Sequence, residues 1–520
     1  NRALNEVRLE GATGVTALFA DGEVTLDGGG TINLVDDPLS RIAGTNAATS
    51  RLINVDNVIT GSGNIGSNTT TIVNQNIIRI DGINAATIDN SDSAAMINSG
   101  LIEVTNGSTL NIKDTTLQNF DLNSSGTIQV HEGGLITTDL NTAIQGGTLN
   151  SLNSDSDPLN DGIIRVIGAT SISDIINDAR LEVDNGQTLT LDGTIDNRRE
   201  ILVNGGSAFT SLRINDGTQL VGNGIIRLND DPQSRILATV TGNTLNNVNN
   251  TIEGAGQLGS GNMQLFNTGS ITATGVNPLV VDTIDSVFVN EGELRAQGAG
   301  GLDLRESVTN DGGLVEVAAG SQALIDGTLT QENFGFTLIE GLMSATGGIT
   351  NNSGVIGGSG ELIGNLRNHG ILEPGDQEPA EFTITGNLLL SANSAMFMEV
   401  GGLAVGIDSD FIDVTGSASL GGDIVFGIIN GFQPEFTDSV TLLSSNLLSS
   451  SFNQLNGEQI FSSDGLWMAT INYGSGSIFD QNQVVLSEFT PVPEPSTYLL
   501  MALGAGMIGA WFWRRRSKQH

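Results

Sequence analysis

One short pattern governs what this chain can fold into: a glycine, any residue, an aliphatic, any residue, then a second aliphatic or alanine. It reads Gly30-Thr-Ile-Asn-Leu34, Gly100-Leu-Ile-Glu-Val104, Gly126-Thr-Ile-Gln-Val130 and Gly162-Ile-Ile-Arg-Val166. It continues as Gly224-Ile-Ile-Arg-Leu228, Gly269-Ser-Ile-Thr-Ala273, Gly292-Glu-Leu-Arg-Ala296 and Gly313-Leu-Val-Glu-Val317. Period-two alternation puts both apolar side chains on one face of a short strand. Asn often stands just before the glycine, as at Asn98, Asn267, Asn290 and Asn368. Asn and Gly tolerate left-handed backbone, so these pairs are expected to form sharp corners. A second strand often follows, as at Leu110 and Ile112 or at Leu302 and Leu304. Gly269, Gly292 and Gly313 are spaced by 23 and 21 residues, which suits one turn of a β-solenoid.

A longer repeat overlies the short one. Thr31–Ile42 (TINLVDDPLSRI) matches Ile225–Ile236 (IIRLNDDPQSRI) at an offset of 194. Ile59–Gly66 matches Ile252–Gly259 at 193, and Asn98 matches Asn290 at 192. A block of roughly 190 residues is duplicated, and a fainter third copy begins at Ile356–Gly364. The expected fold is all-β: an elongated right-handed parallel β-helix over residues 1–372, then a C-terminal β region or cap over 373–490. With strands about 4.8 Å apart, roughly 17 coils make a rod on the order of 80 Å. The competing architecture is a string of antiparallel sandwiches, which also uses short strands and Asn-Gly turns.

Composition narrows the function classes. Of 520 residues 38% are hydrophobic, which argues against simple disorder, and Gly has no three-residue period, which excludes collagen. The formal net charge is −38, and the lysines are Lys113 and Lys518 alone, so no basic stripe exists for nucleic acid. There is no cysteine, hence no disulfide, thiolate chemistry or Cys-based zinc site. The chain opens at Asn1 without an apolar leader, and a processed or truncated N-terminus is the expectation.

The C-terminus reads TPVPEPSTYLLMALGAGMIGAWFWRRRSKQH. Pro491, Pro493 and Pro495 stiffen an extended stretch. Residues 497–513 are apolar and uncharged, and as a helix would span about 25 Å, a short transmembrane segment. Trp511 and Trp513 suit the interface, and Arg514, Arg515 and Arg516 place that end in the cytoplasm. The order Val492-Pro493-Glu494-Pro495-Ser496, apolar helix and arginine cluster resembles the PEP-CTERM sorting signal. The resemblance covers about the last 30 residues, 491–520. It implies recognition of Pro493, Glu494 and Pro495 by a membrane-embedded exosortase in a Gram-negative bacterium, with transient anchoring in the inner membrane and then release to the cell surface or beyond. Separately, residues 357–422 are similar to a strand pattern of autotransporter-like β-helices.

Little in the body points to catalysis. The histidines outside the tail, His131 and His369, read as solvated turn residues. A glycosidase needs two carboxylates flanking a bond. Asp36-Asp37, Asp230-Asp231 and Asp303 instead sit at repeats or turns. A lyase base would fall to Arg198 or Arg199. Sugar grooves favour aromatic platforms, and only Trp467 and Tyr473 supply Trp or Tyr outside the tail. Calcium is the one cofactor candidate, with Asp408, Asp410 and Asp413 as its ligands, though no EF-hand or nonapeptide array accompanies them. The expected function is an exported structural or adhesive surface or matrix protein, not an enzyme, whose partners are the exosortase, the inner membrane and extracellular polysaccharide. The alternative is a polysaccharide-acting enzyme on a β-helix scaffold.

Overall fold

The computed structural model describes residues 5–105, 107–152, 161–375 and 378–492. These residues form a parallel β-solenoid of about 17 turns, without an α-helix among them. Each turn lays down three short strands, one in each of three columns. Ile77–Ile80 takes the first column, Ala86–Ile88 the second and Met96–Asn98 the third, and Leu101–Val104 then returns to the first. There Ile78 pairs in parallel register with Ile102, Ile102 with Ile128, and Ile128 with Leu149, all of them buried. In the second column Ile201, Ile226, Ile252, Ile271, Leu294 and Val315 stack likewise. Each fully buried Ile or Leu contributes roughly 1.5–3 kcal/mol relative to an exposed one. The alternating aliphatics therefore specify strand phase, and parallel pairing replaces the sandwich alternative.

The corners differ from the sequence expectation. Asn98, Asn267, Asn290 and Asn368 do not adopt left-handed backbone. They are buried, and their side-chain amides hydrogen-bond from turn to turn. Asn54 donates to Asn74 (2.9 Å), Asn74 to Asn98 (2.7 Å) and Asn98 to Asn119 (2.7 Å). Further along, Asn247, Asn267, Asn290 and Asn310 form a second ladder at 2.8–2.9 Å. The glycine beside the Asn is needed for space. A Cβ on Gly100 would lie 2.1 Å from the Asn76 carbonyl oxygen, and one on Gly292 would lie 2.1 Å from that of Gly269. The coils approach too closely at these points for any side chain.

The duplicated blocks occupy different columns. Thr31–Leu34 stands in the first column, whereas its counterpart Ile225–Leu228 stands in the second. The turns between them tighten: Ile163 pairs with Arg180 and Arg180 with Glu200. The strand Thr170–Asp178 also runs through a corner, with a register break between Ser173 and Ile175. The 194-residue block thus covers more than a whole number of turns. The Asn ladder moves with it, from the corner after the third column to the corner after the first.

Parallel pairing continues past residue 372. Glu381–Thr385 pairs with Phe411–Leu420, Ala395–Val400 with Asp423–Ile428, and Phe411–Leu420 with Ser439–Ser450. The pattern breaks only at the far end. Gln483–Pro491 lies antiparallel between Ser439–Ser450 and Trp467–Asn472, and Gln459–Phe461 adds a further antiparallel strand. Phe489 packs edge-on against Phe426 (6.3 Å between ring centroids), and Ser463 N donates to the Phe426 carbonyl (2.7 Å). These contacts cover part of the last coil's apolar core and part of its strand edge, which otherwise templates further pairing.

Candidate functional site: the capped end and the sorting segment

The chain leaves the cap through its last strand. Trp467 pairs with Pro491, and Val492 N donates to the Leu466 carbonyl at 2.8 Å. A proline suits this final place because it has no N–H to give to a ladder. Pro491 is exposed, so the chain departs from the outside of the cap.

Residues 491–516 match the PEP-CTERM protein-sorting motif. No curated protein matches the chain. The match begins on the last strand residue, so body and sorting signal adjoin without an intervening domain. A PEP-CTERM motif implies export and processing by an exosortase, with delivery to the surface or exterior of a Gram-negative cell. Pro493, Glu494, Pro495, Trp511, Trp513 and Arg514–Arg516 lie outside the described residues, as does the apolar segment 497–513 expected to cross the membrane. Among the described residues no helix is long and apolar enough to do so.

The structure does not bring the expected calcium ligands together. Asp410 is fully buried, and both its oxygens are engaged: Oδ1 accepts from Ala380 N (2.9 Å) and Oδ2 from Glu399 N (2.7 Å). Burial, more than Glu399 and Glu373 nearby, pushes this carboxyl up to about 8. Asp408 is exposed on the preceding loop, and Asp413 is half-buried on the next strand, paired in register with Thr383. Among the described residues no group of three or more His, Asp or Glu could hold a metal ion. Glu306 is raised to about 7, again chiefly by burial, and accepts from Thr283 N (3.1 Å).

The repeated aspartates act as clips. Asp36 accepts from the Ser62 hydroxyl and from Asn84 N (2.8 Å), and its own carbonyl accepts from Asn84 Nδ2 (3.1 Å). Asp230 does the same with Asn277: its carboxylate takes the backbone N–H (2.9 Å) and its carbonyl the side-chain amide (3.2 Å). These bonds hold both carboxyls below the usual carboxylate range, led by the Ser62 hydroxyl for Asp36 and the Asn277 N–H for Asp230. Each clip bridges two turns, which ties the duplicated sequence to a duplicated structural role.

Other sequence candidates also take structural positions. Arg198 pairs with Asp196 (2.6 Å), and Arg199 pairs with Asp161. His131 is not a free turn residue, since it contacts Glu103 at 3.3 Å and Gln129 at 3.2 Å. Glu103 in turn pairs with Arg79 at 2.6 Å and is buried on the outward side of its strand. Tyr473 is buried, donates to the Gln454 carbonyl (2.6 Å) and packs edge-on against Phe452. Trp467 is half-buried in the cap sheet.

Proposed function

We propose that this chain is a structural, adhesive component of the cell surface or extracellular matrix, exported and then released or displayed through its sorting motif. The observation that carries the reading is the junction itself. A continuous stacked body ends in a closing sheet, and the matched sorting segment starts at the last residue of that sheet. The right-handed solenoid acts as a spacer whose acidic surface keeps copies apart and soluble. Residues 497–513 hold the chain in the inner membrane with Arg514–Arg516 inside until the exosortase acts near Pro493-Glu494-Pro495. The body performs no catalysis in this reading, because the carboxylates of Asp36, Asp230 and Asp410 are committed to backbone donors. The test is to compare matrix from cells with and without the chain. Co-sedimentation of the protein with the polysaccharide, and weaker cohesion when it is absent, supports the proposal. Intact cohesion without it, together with polysaccharide cleavage by the purified chain, contradicts it.

A further inference from the structure

Among the described residues most arginines of this acidic chain face a carboxylate; Arg41, Arg213, Arg235 and Arg367 form no ion pair, and of these Arg213 and Arg235 stand on adjoining strands. They lie diagonally on adjoining third-column strands, Thr210–Ile214 and Ser234–Ala238, where Ser211 pairs with Arg235 and Arg213 with Leu237. Their neighbours Leu212, Ile214 and Ile236 point into the core, so both guanidiniums stand on the outer face. Arg235 sits over the Phe209 ring, with its guanidinium carbon 3.4 Å from the centroid. Its Nε is buried without a hydrogen-bond partner. Burial first, and Arg213 second, hold its guanidinium below the usual range. The charge felt by Arg235 is thus another cation. Two like charges side by side are unfavourable unless an anion joins them.

The duplication separates structure from addition. At the offset of 194, Arg235 corresponds to Arg41, whose Nε is likewise buried and unpartnered. Arg213 corresponds to Phe19, and Phe209 to Val15. The first copy therefore keeps a single arginine, and only the second sets a pair of arginines beside an exposed aromatic ring, Phe209 being 50% exposed.

We propose that Arg213, Arg235 and Phe209 form a binding site for an acidic polysaccharide. The planar guanidiniums offer forked donors to a sugar carboxylate or sulfate. The exposed ring edge and face offer an apolar platform to the sugar C–H groups. A chain of net charge −38 repels polyanions as a whole, so binding of one must be local. The ligand class rests on the matrix reading above, but the test is independent of where the protein is sorted.

The experiment uses the full chain in detergent micelles against polygalacturonate, dextran sulfate and neutral dextran. Wild type should bind one or both polyanions and leave dextran unbound. Binding of the carboxylated polymer alone assigns a uronate, and binding of the sulfated one alone a sulfate ester; either supports the site. Arg213→Gln with Arg235→Gln should weaken binding at least tenfold, whereas Arg41→Gln should leave it within twofold. The Lys pair Arg213→Lys with Arg235→Lys, which keeps the charge and the fold, should recover only part. Absence of polyanion binding by wild type, or equal binding by the Gln pair, overturns the proposal. So does self-association of wild type that the Gln pair abolishes without polymer, since that assigns the face to a second copy.

Discussion

Asn290→Ala tests whether the buried amide ladder holds the turns together. Asn290 Nδ2 donates to Asn310 Oδ1 (2.9 Å) and to the Gly292 carbonyl (3.1 Å), and its oxygen accepts from Asn267 Nδ2 (2.9 Å). Each such bond is worth about 1 kcal/mol net, and each partner left buried and unsatisfied costs roughly 1–3 kcal/mol. Asn267 keeps weaker bonds to the Gly269 and Glu293 carbonyls, at 3.3 and 3.4 Å, which lowers the total. The loss should be about 3–5 kcal/mol. Asn352→Ala is the control, because Asn352 is exposed and its side chain donates to Glu332 in the open (2.6 Å), a contact worth at most about 1 kcal/mol. A solenoid can open turn by turn, so a single global midpoint understates a local defect. Hydrogen exchange of the amides from 267 to 314 is the assay, with urea unfolding beside it. Asn290→Ala should expose those amides while Asn352→Ala leaves them protected. Equal protection in the two variants would refute the ladder's role.

Ile102→Asp should destabilise far more than Glu103→Lys, since Ile102 is fully buried in its stack. Glu103→Lys should still cost stability, because it sets a cation against Arg79 and His131; thermal melting of both variants decides, and a harmless Ile102→Asp would overturn the strand phase. For Asp410 the folded carboxyl is raised from 3.8 to about 8, so the folded state holds a proton that the unfolded state has lost over that range. Its stabilising contribution is full below about pH 4 and falls as pH rises through 8, by up to about 1.4 kcal/mol per unit. Asp410→Asn should flatten this part of the pH–stability curve, and an unchanged slope would contradict the assignment.

The strand pattern was legible because period-two alternation has one structural meaning: Ile102 and Val104 face in, and their repeats stack in register. The 21–23 residue spacing likewise gave the turn. The corners were misread because Asn-x-Gly fits a left-handed turn and a buried ladder equally well in one dimension. Only the neighbouring coil shows that Asn98 meets Asn74 and Asn119 and that Gly100 meets the Asn76 carbonyl. The burial of Glu103 was not legible for the same reason. Alternation gives the side of the strand, whereas its ion pair with Arg79 and its contact with His131 come from coils above and below. Asp408, Asp410 and Asp413 were grouped by proximity in sequence, yet a loop and a strand turn them apart. The sorting segment was legible from order alone, since its function depends on a linear signal at the chain's end.

The most direct test of the account is the location of two chains in cells that carry an exosortase: the full-length protein and one ending at Pro495. Both bodies should fold alike, because the last strand, Gln483–Pro491, is retained in each and the match extends beyond it. The full-length chain should pass through the inner-membrane fraction, be shortened near Pro493–Pro495 and reach the surface or medium. The truncated chain should be exported, remain unprocessed and accumulate elsewhere. If the two are processed and localised alike, the motif does not direct this protein, and the account fails.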